Sequence, residues 1–320
     1  RPLPGYEQYL EQFRLVPGRI YPPDFVYVCP GSDWARMLLY GLAELQQELG
    51  LAGFYFDTGT LSACANFQHG CGYREPDGTL SPSYPIFALH EFKRRLYCLL
   101  EERLGQRAFI SSLINGHMDL PVLTFDSAAI SGEELNGRVR QDYAAALSME
   151  QVSLQYDART WGLWHQWLPA VTAGQDRDTT DSFLSLALPQ HTPLWIAYCD
   201  YARVFQVLDA LQAFGTRDAR FLPPWEAARL VDTGAEAVYA ALHVREAVGA
   251  EGRGEALLVL SNPGGEARQI EVRVDWRAAG LTRPPTRFVD QLSGEALPGQ
   301  AGLIPLELPA RSFRLVRAGY

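Results

Sequence analysis

Strand-length apolar runs alternate with helix-spaced apolar positions from the start of the chain to about residue 225. Phe25-Val26-Tyr27-Val28-Cys29 is one continuous run, stopped by Pro30-Gly31. Ser32 or Asp33 then caps a helix in which Met37, Leu38, Leu42, Leu45 and Leu49 recur at helical spacing, and Gly50 ends it. The next apolar run, Gly53 to Phe56, delivers Asp57 and a long polar stretch, after which residues 85–104 read as an amphipathic helix closed by Gly105. The same reasoning predicts strands over 108–114 and 122–125, a helix over 133–148, a short strand over 153–156, a helix over 180–188, a strand over 194–198 and a helix over 201–214. Buried strands alternating with helices imply a parallel sheet covered on both faces.

Near Asp232 the pattern changes. Residues 255–261, 269–274, 287–290, 303–308 and 312–316 are short strands separated by Gly, Pro and Asn turns, of which Asn262-Pro263-Gly264-Gly265 is the plainest. This is the pattern of a small antiparallel β-sandwich. The expected architecture is therefore α/β: a (β/α)8 TIM-type barrel over residues 1–228 and a carboxyl-terminal β-sandwich over 229–320. An open doubly wound sheet would give a similar pattern, but no Gly-rich phosphate loop follows any strand. About five or six β/α units cannot close an eight-stranded barrel without leaving strand edges unpaired. A further chain or segment is expected to supply the missing strands.

Composition narrows the function. A net charge of −9 and a pI near 5.2 argue against nucleic acid as a partner. No apolar run reaches the roughly 18 residues needed to span a bilayer, so no membrane partner is expected either. Five cysteines (Cys29, Cys64, Cys71, Cys98 and Cys199) are too few and too scattered for a disulfide scaffold, although Cys64 and Cys71 are close enough in sequence to clamp one loop. Cys64-x4-His69-x-Cys71 matches none of the usual zinc spacings and lacks an obvious fourth ligand, so neither a metal nor another cofactor is expected.

In a parallel barrel, chemistry gathers at the carboxyl ends of the strands. Asp57 occupies such an end and is the candidate nucleophile or charge stabiliser. Phe125-Asp126 repeats the arrangement, and Glu133 opens the following helix. Two carboxylates meeting over one barrel end are what glycosidic cleavage needs, with Glu133 as acid/base and Asp126 as its substitute. A first-turn glutamate is also favoured by the helix macrodipole, which is the local explanation of Glu133. Asn66, His69 and Arg74 supply hydrogen-bonding groups for a sugar subsite, or else tie down the backbone of their own loop. His117 follows the strand over 108–114, and Trp161 begins a Trp161, Trp164, His165, Trp167 cluster suited to pyranose faces or to packing beneath loops.

Tyr55-Phe56-Asp57, the segment Cys64-x-Asn66-x-x-His69-Gly70-Cys71-Gly72-Tyr73, and Tyr84-Pro85-Ile86-Phe87 leading into Lys93-Arg94 carry a resemblance. So do Phe125-Asp126, Gly132-Glu133 and Asp218-Ala219-Arg220-Phe221-Leu222-Pro223. Over most of its length the chain resembles a bacterial group of glycoside-hydrolase-like proteins, a domain of unknown function distantly related to glycoside hydrolase family 123. The resemblance implies a catalytic (β/α)8 barrel preceded by an amino-terminal β domain, with this chain as the carboxyl-terminal portion. Family 123 enzymes use an adjacent Asp-Glu pair and the substrate's acetamido group, whereas this chain has Glu133-Glu134. The function expected from all of this is a glycoside hydrolase acting on a poly- or oligosaccharide. The rivals are a carbohydrate-binding protein on a degenerate barrel and a metal-dependent hydrolase built on His69, His117 and aspartates.

Overall fold

The computed structural model describes residues 28–57, 59, 61–114, 123–135, 142–156, 162–169, 176–246, 254–299 and 302–320. They fall into two compact units, Arg1–Ile130 with Ala158–Trp164, and Ser131–Asp157 with His165–Tyr320.

The first unit is built on parallel strands. Helix α1 (Trp34–Leu49) buries Ala35, Leu39, Leu42, Ala43 and Gln46, one face at helical spacing, and ends at Gly50 in the left-handed conformation. Strand β1 (Gly53–Phe56) pairs in parallel with β2 (Phe109–Leu113), with Gly53 opposite Phe109 and Phe56 opposite Ser112. A Cβ at position 53 would stand 1.8 Å from the Phe109 carbonyl oxygen, so this register requires glycine. Helix α2 (Ile86–Leu104) links the two strands and packs Phe92, Leu96 and Leu100 against Leu39 and Leu42 of α1 and Ile110 of β2. Strand β3 (Ala128–Ser131) continues the parallel ladder, with Ser111 opposite Ala128 and Leu113 opposite Ile130. Trp164, the first residue of β4 (Trp164–Trp167), donates its N–H to the Ser127 carbonyl.

The second unit centres on an antiparallel sheet. Its six strands are β5 (Arg220–Leu222), β6 (Tyr239–Arg245), β7 (Glu255–Asn262), β9 (Arg287–Asp290), β10 (Ala296–Leu297) and β12 (Ser312–Gly319), in the spatial order β10-β9-β12-β7-β6-β5. A second sheet sets β8 (Arg268–Val274) between β11 (Leu303–Leu308) and the short strand Val231–Asp232. Between the two sheets lies a core of Leu242, Leu258, Leu260, Val316, Ile270, Val272, Ile304 and Leu306. The opposite face of the larger sheet, through Ala241, Leu257, Val259, Phe313 and Leu315, packs against α3 (Arg177–Ala187) and α4 (Tyr201–Phe214). Coverage on both faces explains why β7 reads Ala-Leu-Leu-Val-Leu without alternation.

Several local expectations are corrected. Residues 123–125 form a turn rather than a strand, so Asp126 precedes β3 instead of ending a strand. Phe125, which gave that run its apolar weight, packs its ring against His90 and Tyr97 of α2. Met149–Gln155 is helical, not extended, because Ser148 and Gln151 form a reciprocal capping box. Glu133–Leu135 is a single 3-10 turn, and a fresh turn of helix starts at Tyr143 under an Asp142 cap, so no continuous helix runs over 133–148. The run 194–198 contributes only a bridge, Leu194 beside Trp167. All five cysteines carry thiols, so no disulfide links Cys64 to Cys71. A third thiol, that of Cys29, sits 3.7 Å from the Cys71 sulfur, far beyond a bonded S–S length of about 2.05 Å.

Candidate functional site

Asp57 follows the last residue of β1, at the carboxyl end of a parallel strand, and is exposed to solvent. One carboxylate oxygen accepts a long 3.4 Å hydrogen bond from the Tyr55 hydroxyl. Further along, Cys64, Ala65 and Asn66 are buried and Phe67 and Gln68 are exposed. Asn66 is buried, and its side-chain oxygen accepts the Gln68 N–H at 3.0 Å, capping the 3-10 turn Phe67–His69. His69 Nδ1 lies 3.5 Å from the Cys64 sulfur. Arg74, in the small hairpin Tyr73–Arg74 with Leu80–Ser81, donates to the Gly78 carbonyl and lies over the Phe67 ring at 5.6 Å. Phe67, Tyr73 and Tyr84 stand exposed along this stretch.

Asp126 has a different surrounding. Lys93 of α2 donates to Asp126 Oδ2 at 2.8 Å and to Ser112 Oγ of β2 at 3.0 Å, and the side chains of the ion pair are 1% and 0% exposed. Asp126 Oδ1 has no hydrogen-bond partner among the described residues. Burial pushes the Asp126 carboxyl up, against the pull of Lys93 and Ser112. Burial also pushes the Lys93 ammonium down, against the pull of Asp126. Both directions say that taking these charges out of water outweighs their mutual attraction.

In the second unit, β3 ends at Ser131 and Gly132 turns the chain with φ 126°; a Cβ there would stand 2.0 Å from the Leu168 carbonyl oxygen. Glu133 is exposed in the turn that follows. Its neighbour Glu134 is held by the Gly132 N–H at 2.7 Å and the Tyr156 hydroxyl at 2.8 Å. Ser131 Oγ and His165 Nε2 are 2.5 Å apart and buried, and His165 Nδ1 bonds the Tyr156 carbonyl. Trp167 is buried and stacks on Tyr156 with ring centroids 4.7 Å apart, whereas Trp164 is exposed. His117 and Trp161 lie outside the described residues.

Sequence reasoning thus missed Lys93 as a partner of Asp126, the Ser131–His165 pair, the anchoring of Glu134, and Cys29 as a neighbour of Cys64 and Cys71. Two serines inside the apolar run over 108–114 were the available signal for the first, because a strand buried on both faces tolerates polar residues only where partners meet them. A cleft of about 660 Å³ in the second unit, lined by Arg177, Asp181, Arg203, Arg311, Phe313 and Arg314 among others, contains none of the predicted carboxylates. Its central Arg203 is already bidentate to Asp181 and sits over Phe313, a packing role.

The thiols form the one candidate metal centre among the described residues. The ligand atoms of Cys29, Cys64 and His69 lie within 4.8 Å of one another, and Cys71 closes on Cys29 at 3.7 Å.

No protein-family model matches the chain, and no curated protein matches it. Solved structures do match. An alpha-amylase from Anoxybacillus aligns with a TM-score of 0.56 at 10% identity, over 98% of this chain and 72% of that one. A maltogenic alpha-amylase from Thermotoga neapolitana gives 0.55 at 9% identity, over 98% and 73%. A GH27 β-L-arabinopyranosidase from Geobacillus stearothermophilus gives 0.54 at 13% identity, over 97% and 67%. The chain has a glycoside-hydrolase-like fold that joins parallel and antiparallel sheets. At these identities the likeness concerns fold, and activity has to be argued from the site.

Proposed function

We propose that this chain is a glycoside hydrolase that cleaves a poly- or oligosaccharide with paired carboxylates. The observation that carries the reading is Asp57: an exposed carboxylate on the carboxyl end of a parallel strand, in a glycoside-hydrolase-like fold. The exposed Phe67, Tyr73 and Tyr84 rings beyond it suit the apolar faces of sugars. Matching structures bear glycosidase names, one complexed with acarbose and another with arabinose, which supports a sugar ligand. In this reading residues 1–228 belong to a (β/α)8 barrel completed by a further chain or segment, and 229–320 form its terminal sandwich.

Asp57 stabilises or captures the oxocarbenium-like centre, and Glu133 protonates the leaving oxygen. Glu134, anchored by Gly132 and Tyr156, is a positioning residue for the turn that presents Glu133. Asp126, sealed against Lys93, takes no part in proton transfer in this scheme. The same ion pair favours one alternative, a sugar-binding protein that does not cleave, since it removes one of three candidate carboxylates from use.

Hydrolysis decides between them. The purified chain, with any segment needed to complete its sheet, is expected to release reducing ends from an oligosaccharide panel. Glu133→Gln is expected to slow natural substrates on the order of 10²–10⁴-fold, the usual worth of a general acid. Aryl glycosides with activated leaving groups should be nearly unaffected, because such groups depart without a proton. Sugar binding without turnover on any substrate would establish the alternative, and equal losses on both substrate types would remove Glu133 from the acid role.

A further inference from the structure

We propose that Cys29, Cys64, His69 and Cys71 bind a zinc ion that fixes the segment following Asp57. Three buried thiols alone are unremarkable, because cysteine packs as a small hydrophobe. Three features set these apart. The first is spacing: tetrahedral zinc, with Zn–S near 2.3 Å and Zn–N near 2.0–2.1 Å, holds two sulfurs about 3.8 Å apart and a sulfur and a nitrogen about 3.6 Å apart. The Cys29 and Cys71 sulfurs are 3.7 Å apart, and the Cys64 sulfur is 3.5 Å from His69 Nδ1.

The second feature is the imidazole, whose Nδ1 faces the buried Cys64 sulfur and lies within 4.8 Å of the Cys29 sulfur as well. The third lies around the sulfurs. The Gly31 N–H points at Cys29 Sγ at 3.3 Å and the Asn66 N–H at Cys64 Sγ at 3.5 Å, each from two residues further along the chain. A thiol sulfur is a weak acceptor, and backbone donors aimed at it are the outer-shell support that a metal-bound thiolate uses.

Cys29, Cys64 and His69 are three soft ligands gathered within 4.8 Å, and Cys71, 3.7 Å from Cys29 Sγ, would complete the four of a closed structural zinc site with no position left for substrate. On binding, the three thiols release their protons to solvent and His69 ligates as the neutral ring, leaving the centre with one negative charge. The ion would tie Cys29, just before α1, to the loop after β1. Paired bonds between Cys64 and Ser83, and one from the Gly72 N–H to Ser83 Oγ, extend the brace to the approach of α2. The ligands are spread as Cys29-x34-Cys64-x4-His69-x-Cys71, which is why their spacing resembles no zinc motif. Nothing in this site depends on what reaction the chain performs.

The test is metal content. The full chain, purified under reducing conditions without added chelator, is expected to carry a single zinc per molecule by inductively coupled plasma mass spectrometry. Cys29→Ser and Cys71→Ser should lose it, while Cys98→Ser, an exposed thiol outside the cluster, should keep it. Because a ligand variant can unfold on its own account, the wild-type chain provides a second readout. Replacement by Co²⁺ should give the intense visible bands of a tetrahedral thiolate site, and stripping should lower the melting temperature until Zn²⁺, not Mg²⁺, is restored. Wild-type protein with no zinc above the Cys29→Ser level, or with no Co²⁺–thiolate spectrum, would overturn the proposal.

Discussion

Asp57→Asn is expected to lower kcat on the natural saccharide by at least about 10²–10³-fold, the worth of one preorganised group facing developing charge, and by more if the carboxylate forms a covalent intermediate. The melting temperature should barely move. Asp57 is exposed and its carboxylate accepts a long 3.4 Å hydrogen bond from Tyr55, so little folding energy rests on it. Steady-state kinetics alongside thermal unfolding of both proteins checks the pair of outcomes. Near-normal turnover by Asp57→Asn would remove Asp57 from the chemistry, and a loss of activity that tracks a loss of fold would make it a structural residue instead.

What could be read in the sequence follows from how locally each feature is encoded. Strand β1, helices α1, α2, α3 and α4, and strands β7, β8, β9, β11 and β12 were legible because short-range pattern and caps determine them: Gly50 and Gly105 sit where each helix must stop. The helix at Met149–Gln155 was misread although its Ser148-x-x-Gln151 signature is in the sequence, since a short apolar run does not distinguish strand from helix by periodicity. Strand β3 was missed for a different reason. Ala-Ala-Ile-Ser is buried on both faces and small because neighbours crowd it, so it carries little apolar weight, and Phe125 beside it attracted the assignment instead. The partners of Asp126 and of Cys64 were out of reach of any spacing rule, because Lys93 and Cys29 arrive from other elements.

Those long-range partners change the chemistry expected of the site. An aspartate after an aromatic looks the same in sequence at Phe56-Asp57 and at Phe125-Asp126. Packing separates them: the first ends its strand in solvent, and the second precedes its strand beneath a helix that lowers a lysine onto it. His69 likewise reads as a sugar contact when only its loop is considered, and as a ligand once the Cys29 sulfur is beside it.

Lys93→Met is expected to cost about 3–5 kcal/mol of stability, since removing one partner strands the other charge in the interior. Asp126 has no exit: its side chain is 0% exposed, Oδ1 has no partner among the described residues, and Lys93 is the cation that offsets its burial. The double variant Lys93→Met/Asp126→Leu should recover most of the loss and fall within about 1 kcal/mol of wild type or above it, because a well-packed apolar pair replaces a costly ionic one. The pH dependence of the single variant has a fixed sign. Burial already raises the folded-state pKa of Asp126 in the presence of Lys93, and removing the ammonium raises it further. A carboxyl with a raised folded pKa is penalised only where the folded protein must hold it charged. The penalty is therefore full above the folded pKa and fades as pH falls toward the unfolded value of about 3.9. Urea unfolding of the four proteins of this cycle, at neutral pH and again near pH 5, measures both effects. A single variant within about 0.5 kcal/mol of wild type at neutral pH, the range of an ordinary surface substitution, would show that Asp126 reaches water and that the pair is not the sealed unit described above.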